Sequence, residues 1–466
     1  MNPKYAPALS PKQHQTEAVD AMLLGNIANF DDQGLGKCKQ AYDLAGRLFQ
    51  DNKIDLMVMV SKASLKDNFH FEVSKDAIQL ISRVATGNKI ERRRIYKYPS
   101  YHILIISYEN AINDNEELLD LLSKNRTLLC LDEAHYIKNP SAKRTEACLK
   151  LSEKAVRTAI FTGTPIPNSV EDIYTQLRFL GHDVGADLEA FKLRFGDIGA
   201  FRDYLSATMI RRKKENVIEL NLPKKKVTHI KVKLTPDERA VYDKAASDML
   251  IQYESKKNQK TEISINGILS QLVRLTQITS NPELLIPGYD GTRAKITKLD
   301  EIIERSVASG EKIIVWTGYR QNVRSLLQRY KSHGAVSIFG EMKKDEIQSS
   351  VKRFKEDPTS KVLIATPACA REGFTLTSAC KAVYLDRNFS LLDWVQSQDR
   401  IHRISQTKEC EIIVLMAEDS IDTRIDDILD RKDHIQRFLL GDIEEYMGLE
   451  NIKLSELKAI VGGRSV

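Results

Sequence analysis

Nine short runs of consecutive apolar residues punctuate the chain, and most end in a small or polar residue. In the first half they are DLMVMVS (55–61), HILIIS (102–107), TLLCLDE (127–133) and TAIFTG (158–163). In the second half they are KIIVWTG (312–318), AVSIFG (335–340), KVLIAT (361–366), KAVYLD (381–386) and CEIIVLM (410–416). Apolar runs of this length without alternation are those of strands covered on both faces, the usual state of a parallel sheet. Stretches of helical spacing separate them, such as NVRSLLQRY (322–330) and EIQSSVKRF (346–354). The alternation predicts an α/β fold with helices on both sides of each sheet.

The segment from about 170 to 290 breaks this pattern and is largely helical, as in TPDERAVYDKAASDMLIQYES (235–255) and ISINGILSQLVRLTQI (263–278). Thr235, Pro236, Asp237 and Glu238 make a strong helix start: a capping hydroxyl, a first-turn proline and acids at the positive end. A division near NLPKKK (221–226) is expected. It gives an N-terminal domain, 1–222, with a helical protrusion at about 170–215. The C-terminal domain, 223–466, carries a helical insertion at about 235–290 and bracing helices from about 425.

Composition narrows the classes. Lys and Arg number 70 against 64 Asp and Glu, a net charge of +6 over 466 residues, and 42% of residues are hydrophobic. The excess is clustered in ERRRIYK (91–97), RRKK (211–214) and KKK (224–226), runs that ordinarily form solvated faces. No apolar run reaches the roughly 18 residues of a membrane span, and MNPKYAPALS lacks a signal core. The six cysteines form no CxxC pair, so neither a disulfide framework nor a zinc site is expected, and a reducing cytoplasmic compartment fits.

Candidate chemistry begins at FDDQGLGKCKQAYDL (30–44), which follows the short apolar run NIANF and opens an amphipathic helix. Gly34 and Gly36 could turn backbone N–H groups toward an anion at a helix N-terminus, and Lys37 could reach phosphates. Asp31 and Cys38 stand where a phosphate loop has its first glycine and its hydroxyl, and taken alone the stretch fits a plain turn equally well. LLCLDEAHYIKN (128–139) changes the balance. A buried strand there ends in two acids, where open α/β sheets bind ligands. Asp132 suits Mg²⁺ and Glu133 suits activation of water. In FTGTPIPNS (161–169), Thr162 and Thr164 flank Gly163 at the end of another strand, a proline-stiffened turn when seen in isolation. In WVQSQDRIHRISQ (394–406), Arg400 and Arg403 are three apart and on a helix would share a face able to neutralise a phosphoryl group. A surface helix with ordinary ion pairs explains a lone R-x-x-R as well.

The ordered set DDQGLGK, DEAH, TGTPIPN, REGFTLT and QSQDRIHRISQ resembles the superfamily-two helicase motors, and more closely the Swi/Snf family of DNA-translocating ATPases. SKASLKDNF (61–69), ISYEN (106–110), MIRRKKENVI (209–218), LPKKK (222–226) and LVRLTQITSNPELL (272–285) fit the same family, from Leu9 to about Ile425. GFTLTSA and DRIHRISQ are nearest its annealing-helicase, fork-remodelling branch. The resemblance implies two RecA-like parallel-sheet lobes of the P-loop NTPase fold, with ATP and Mg²⁺ as cofactors. It implies that Gln13 reads adenine and that Gly34, Leu35, Gly36, Lys37, Cys38 and Gln396 form the nucleotide site. Asp132, with Cys38, would serve the metal. Glu133 would serve the water, and Arg400 and Arg403 the transferring phosphoryl group. His135, Thr162 and Gly373 would couple the site to the rest of the motor. Lys62, Ser64, Ser107, Tyr108, Arg211, Arg212, Thr317 and Thr375 would face a nucleic-acid backbone.

Cys38 departs from the family hydroxyl, and a thiol is a poor ligand for so hard an ion. Gln33, where the family often has Met, is a harmless departure, and Phe389 and Ser405 touch no atom the chemistry requires. Ala370 and Arg371, near Gly373 where glycines are common, would alter the backbone's approach to the strand. The expected function is an ATP-driven translocase on double-stranded or branched DNA, monomeric, from a phage or prokaryotic host. A non-catalytic DNA clamp and a strand-separating DNA or RNA helicase are the alternatives.

Overall fold

The computed structural model describes residues 4–217, 220–258 and 265–446, without the side chains of 250–258, 265–269 and 370–372. The expected helix beyond Tyr446 and the side chains of Ala370 and Arg371 therefore lie outside the described residues. The chain forms two compact units. The first comprises Met1–Asn221 with Lys432–Tyr446, and the second includes Leu222–Arg431.

The first unit holds strands β1 (Ala28–Asn29), β2 (Leu56–Ser61), β3 (Ser82–Val84), β4 (Ile103–Ser107), β5 (Thr127–Asp132), β6 (Arg157–Phe161) and β7 (Met209–Ile210). They form one sheet in the order β3-β4-β2-β5-β6-β1-β7, and every pairing is parallel. The second unit holds β8 (Lys225–Val232), β9 (Ile313–Trp316), β10 (Val336–Ile338), β11 (Val362–Ala365), β12 (Lys381–Tyr384) and β13 (Cys410–Ala417). Their order is β10-β11-β9-β12-β13-β8, again parallel throughout. All nine apolar runs are strands.

Burial explains why these runs lack alternation. Side chains still point alternately to the two faces of a strand, but both faces are covered. Leu56, Val58 and Val60 of β2 join one apolar cluster with Leu104, Ile106, Leu129 and Leu131. Met57 and Met59 join another with Ile103, Ile105, Leu128 and Cys130. In the second unit Ile314 and Trp316 face one cluster, and Ile313 and Val315 the opposite one.

Helix starts follow local chemistry. The helix Pro236–Asn258 begins where the Thr235 hydroxyl accepts the Glu238 N–H (3.3 Å) and the Glu238 carboxylate accepts the Thr235 N–H (2.9 Å). The segment 170–215, expected as a helical protrusion, holds the helices Tyr174–Phe179, Leu188–Arg194 and Ile198–Ser206, whose Tyr174, Phe191 and Phe201 join the unit's apolar cluster, after which β7 returns to the sheet.

The KKK run at 224–226 leads into β8, which pairs with β13 over eight residues, and Lys224 and Lys226 stay exposed, as expected of a solvated run. One expectation is corrected. The C-terminal residues from about 425 do not all brace the second unit. The helix Ile421–Leu439 continues into residues that pack with the first, where Phe438, Leu439 and Leu440 join the cluster around Leu104 and Leu131. The Arg202 guanidinium lies over the Phe438 ring at 4.9 Å. Removing so large a buried ring costs about 3–5 kcal/mol. Phe438→Ala is accordingly expected to lower amide hydrogen-exchange protection in β2, β4 and β5 and to leave β9 and β11–β13 unchanged. The opposite pattern would assign the segment to the second unit.

Candidate active site

The carboxyl ends of β1, β5 and β6 meet in the first unit, and the site is built on the loops that leave them. The loop after β1 turns on Gly34 (φ 94°) and Gly36 (φ 80°), left-handed values that glycine adopts freely. Gly36 caps the helix Lys37–Gln50. A Cβ there would fall 2.2 Å from Gln15 Nε2, so any side chain would have to displace the Gln15 amide that holds the Leu35 carbonyl. The Leu35 carbonyl lies within hydrogen-bonding distance of His14 Nε2 (3.1 Å), Gln15 Nε2 (3.3 Å) and Gln40 Nε2 (3.3 Å). The loop is thereby tied to the helix Gln13–Leu24. The Lys37 ammonium donates to the carbonyls of Asp31 (2.7 Å) and Asp32 (3.0 Å), at the mouth of its own loop.

Asp132 ends β5, and its carboxylate accepts the Ser61 hydroxyl at 3.1 Å. Glu133 follows in the left-handed region (φ 52°, ψ 52°), a conformation costing a non-glycine residue about 1–3 kcal/mol. That backbone directs its carboxylate toward the loops after β1 and β6. Thr162 Oγ1 donates to Glu133 Oε2 at 3.3 Å, and Gln33 Nε2 reaches Glu133 Oε1 at 3.5 Å. His135 Nδ1 lies 3.2 Å from Thr162 Oγ1 and 3.3 Å from Glu133 Oε2. One carboxylate thus joins the GLGK, DEAH and TGTP segments. Burial first, then the adjacent Glu133 charge, push the Asp132 carboxyl up to about 7, against the Ser61 hydrogen bond and the Lys37 charge.

A buried acid raised in this way favours a cation beside it. Among the described residues no three His, Cys, Asp or Glu side chains gather as a metal cage. Asp132 alone suits Mg²⁺, which takes one or two carboxylates and fills its shell with water and phosphate oxygens. Cys38, expected near the metal, packs at the edge of the apolar cluster that contains Met57 and Met59.

Of the backbone contacts expected, several are committed elsewhere. Ser107 is buried and caps the helix Tyr108–Asn113, accepting the Asn110 N–H at 3.1 Å. Tyr108 is buried, donates to the Asp132 carbonyl (2.8 Å) and stacks on Tyr136. Thr317 is fully buried and donates to Asp386 at 2.6 Å, in a network with Ser280 and Asn322. Arg211 and Arg212 are not a basic surface. Arg211 pairs with Asp32 (2.6 Å) and Asp442 (2.8 Å), and Arg212 with Asp31 (3.2 Å). Burial works against the Arg211 charge, but the two carboxylates outweigh it and its pKa is raised. Lys62 and Ser64 lie partly exposed in the turn after β2.

In the second unit, the helix Leu391–Gln398 ends before Arg400 and Arg403, so their spacing does not act through a helical face. They converge nonetheless on one loop. Arg400 Nη1 donates to the Phe374 carbonyl (3.3 Å) and its Nε to the Gln396 carbonyl (3.0 Å). Arg403 Nη1 donates to Thr375 Oγ1 (3.0 Å) and to the carbonyl of Gly373 (3.4 Å), which has φ 81°. Arg400 is buried and Arg403 partly exposed.

Beside the first-unit loop lies a cavity of about 570 Å³, with Gln13 and Glu17 on one wall, Arg211 to Lys213 and Val217 on another, and Leu440 to Asp442 on a third. Sequence inspection gave no ion-pair role to Asp31, Asp32 or Asp442, because pairs across about two hundred residues leave no local signature.

A family model described as the SNF2-related domain matches residues 16–284, more than half of the chain. The chain belongs to the SNF2 family. The helicase conserved C-terminal domain matches residues 294–405 of this SNF2 chain. Similar proteins include chromodomain-helicase-DNA-binding protein 6 of Homo sapiens, 24% identical over 95% of the chain and 18% of that protein. An uncharacterized ATP-dependent helicase of Mycoplasma pneumoniae is 26% identical over 92% of the chain and 41% of its own length. The SNF2 chain therefore spans less than half the length of either relative. Among solved structures, a Sulfolobus solfataricus SWI2/SNF2 ATPase core in complex with dsDNA is 25% identical, covers 98% of both chains and has a TM-score of 0.45.

The Asp132 carboxyl links stability to pH. An unfolded aspartate ionises near 3.9, so stability from this group is complete below about pH 4 and is lost as pH rises toward 7. In chelating buffer, Asp132→Asn has no charge to bury. Its stability relative to the parent should rise between pH 4 and 8, by on the order of 3 kcal/mol in urea unfolding. A difference independent of pH would refute the assignment.

Proposed function

We propose that this chain is the motor core of an ATP-dependent translocase on double-stranded DNA. The observation that carries the reading is the Glu133 carboxylate, held jointly by Thr162, His135 and Gln33 beside Asp132 and Lys37. Such an arrangement suits phosphoryl transfer to water, where catalysis is positioning and charge stabilisation. Lys37 exchanges two carbonyl partners for phosphate oxygens. Glu133 orients a water and takes its proton, and Gln13 offers an amide to the base. Bound Mg²⁺ neutralises phosphate charge, with Asp132 the residue to hold it. The family resemblance supports Arg400 and Arg403 as the groups suited to supply guanidinium charge to a phosphoryl group.

Thr162 donates to the carboxylate that meets the water, and His135 hydrogen-bonds to Thr162 beside it. Occupancy of the site is therefore felt in the loop after β6. Lys62, partly exposed in the turn after β2, is the residue there suited to meet a phosphate backbone, whereas the Ser64 hydroxyl is buried. Supporting the choice of duplex DNA are the family itself and the LPKKK and LVRLTQITSNPELL segments. Remodelling of forks or branched DNA in replication, recombination or repair is the finer reading, resting on GFTLTSA and DRIHRISQ.

Two results are expected. ATP hydrolysis should be stimulated by duplex, forked and four-way DNA above single strands and RNA. Lys37→Ala and Glu133→Gln should each lower the stimulated rate by about 10²–10⁴-fold, with duplex binding retained in a mobility-shift titration. Folded protein that hydrolyses no ATP with any of these nucleic acids would overturn the reading in favour of a clamp.

A further inference from the structure

The helix Ile421–Leu439 ends in a left-handed turn at Gly441 (φ 74°). The Gly441 N–H donates to the Phe438 carbonyl (3.1 Å) and the Asp442 N–H to the Arg437 carbonyl (2.8 Å), the paired bonds of a Schellman cap. Phe438, Leu439 and Leu440 anchor the turn in the first unit's core. The cap delivers Asp442 to Arg211, whose Nε and Nη2 donate to the two carboxylate oxygens at 3.2 and 2.8 Å. The remaining Arg211 nitrogen, Nη1, donates to the Phe30 carbonyl (2.8 Å) and lies 2.6 Å from Asp32 Oδ1. Phe30 and Asp32 flank the residue at which β1 passes into the glycine loop, and Lys37 rests on the Asp32 carbonyl (3.0 Å). An unbroken set of contacts thus runs from the C-terminal turn to the lysine of the loop. The same turn lines the cavity that Gln13 borders, with Leu440 and Val217 among its apolar residues. The turn itself lies beyond residue 405, where the second family match ends.

We propose that the Leu440–Asp442 turn is part of the nucleotide site, with Asp442 as a positioning residue that holds Arg211 against the phosphate loop and Leu440 as an apolar wall for the base. The inference rests on the proposed nucleotide function of that loop. With one carboxylate removed, Arg211 keeps Asp32 but is no longer clamped from the opposite side, and the loop loses its fixed anchor. The effect belongs to nucleotide affinity first and to the chemical step second.

The test uses the full chain and N-methylanthraniloyl-ADP with Mg²⁺ as the probe, read by fluorescence. Asp442→Asn should bind the probe about tenfold more weakly, equivalent to about 1.4 kcal/mol. KM for ATP should rise by more than kcat falls, and Asp442→Glu should recover most of the affinity. Gly441→Val, which cannot keep the cap's backbone, should weaken binding as Asp442→Asn does. Asp442→Asn protein that binds the probe like the parent overturns the inference while leaving the proposed function standing. Failure of the parent to bind the probe overturns both. Loss of duplex-DNA affinity in parallel with nucleotide affinity marks a general defect and overturns the positioning role.

Discussion

A parallel sheet brings the carboxyl ends of all its strands to one side, and the site depends on that constraint. In the first unit β2, β5, β6 and β1 are consecutive neighbours. Ser61, Asp132, Thr162 and the glycine loop, spread over more than a hundred residues, therefore emerge side by side. No antiparallel arrangement of the same strands would do so. The long apolar runs that hide both sheet faces are what permit a polar cluster to be assembled at their ends without being diluted into solvent.

Within that frame, charge is managed by pairing and by strain. Asp31 and Asp32 lie inside or near the protein interior and would be costly alone. Arg212 and Arg211 neutralise them, and Gln40 supplies a further hydrogen bond to Asp31. Glu133 accepts an unfavourable backbone conformation to bring its carboxylate to Thr162. Such strain persists only where surrounding contacts over-determine it, and here helix, strand end and loop all converge on the residue.

Much of this was legible in the amino-acid order. Both sheets could be read because buried parallel strands are uninterrupted apolar runs. β1 and β7 are only two residues long and carry no period, and β8 alternates Lys, Thr and His with apolar residues because it lies at a sheet edge. The grouping of Lys37, Asp132, Glu133, His135 and Thr162 was visible from their motifs. Side-chain commitments were not. Thr317, Ser107 and Tyr108 look like strand-end hydroxyls free to meet a ligand, yet each satisfies a buried partner. RRKK looks like a cationic surface, yet its two arginines answer acids some one hundred and eighty residues earlier in the chain and, for Arg211, one far later. The three-residue spacing of Arg400 and Arg403 suggested a helix, whereas a turn after the helix brings them to the same loop.

The outermost strand of the second sheet, β8, has a consequence for the protein in crowded solution. An unpaired strand edge invites a second chain to dock its backbone there and seed aggregation. Along β8 the exposed positions are held by Lys226, Val227, His229 and Lys231. A strand adding to this edge would have to strip water from two ammonium groups without offering them a counter-ion. Lys226, the last of the KKK run, and Lys231 thereby serve as gatekeepers against self-association.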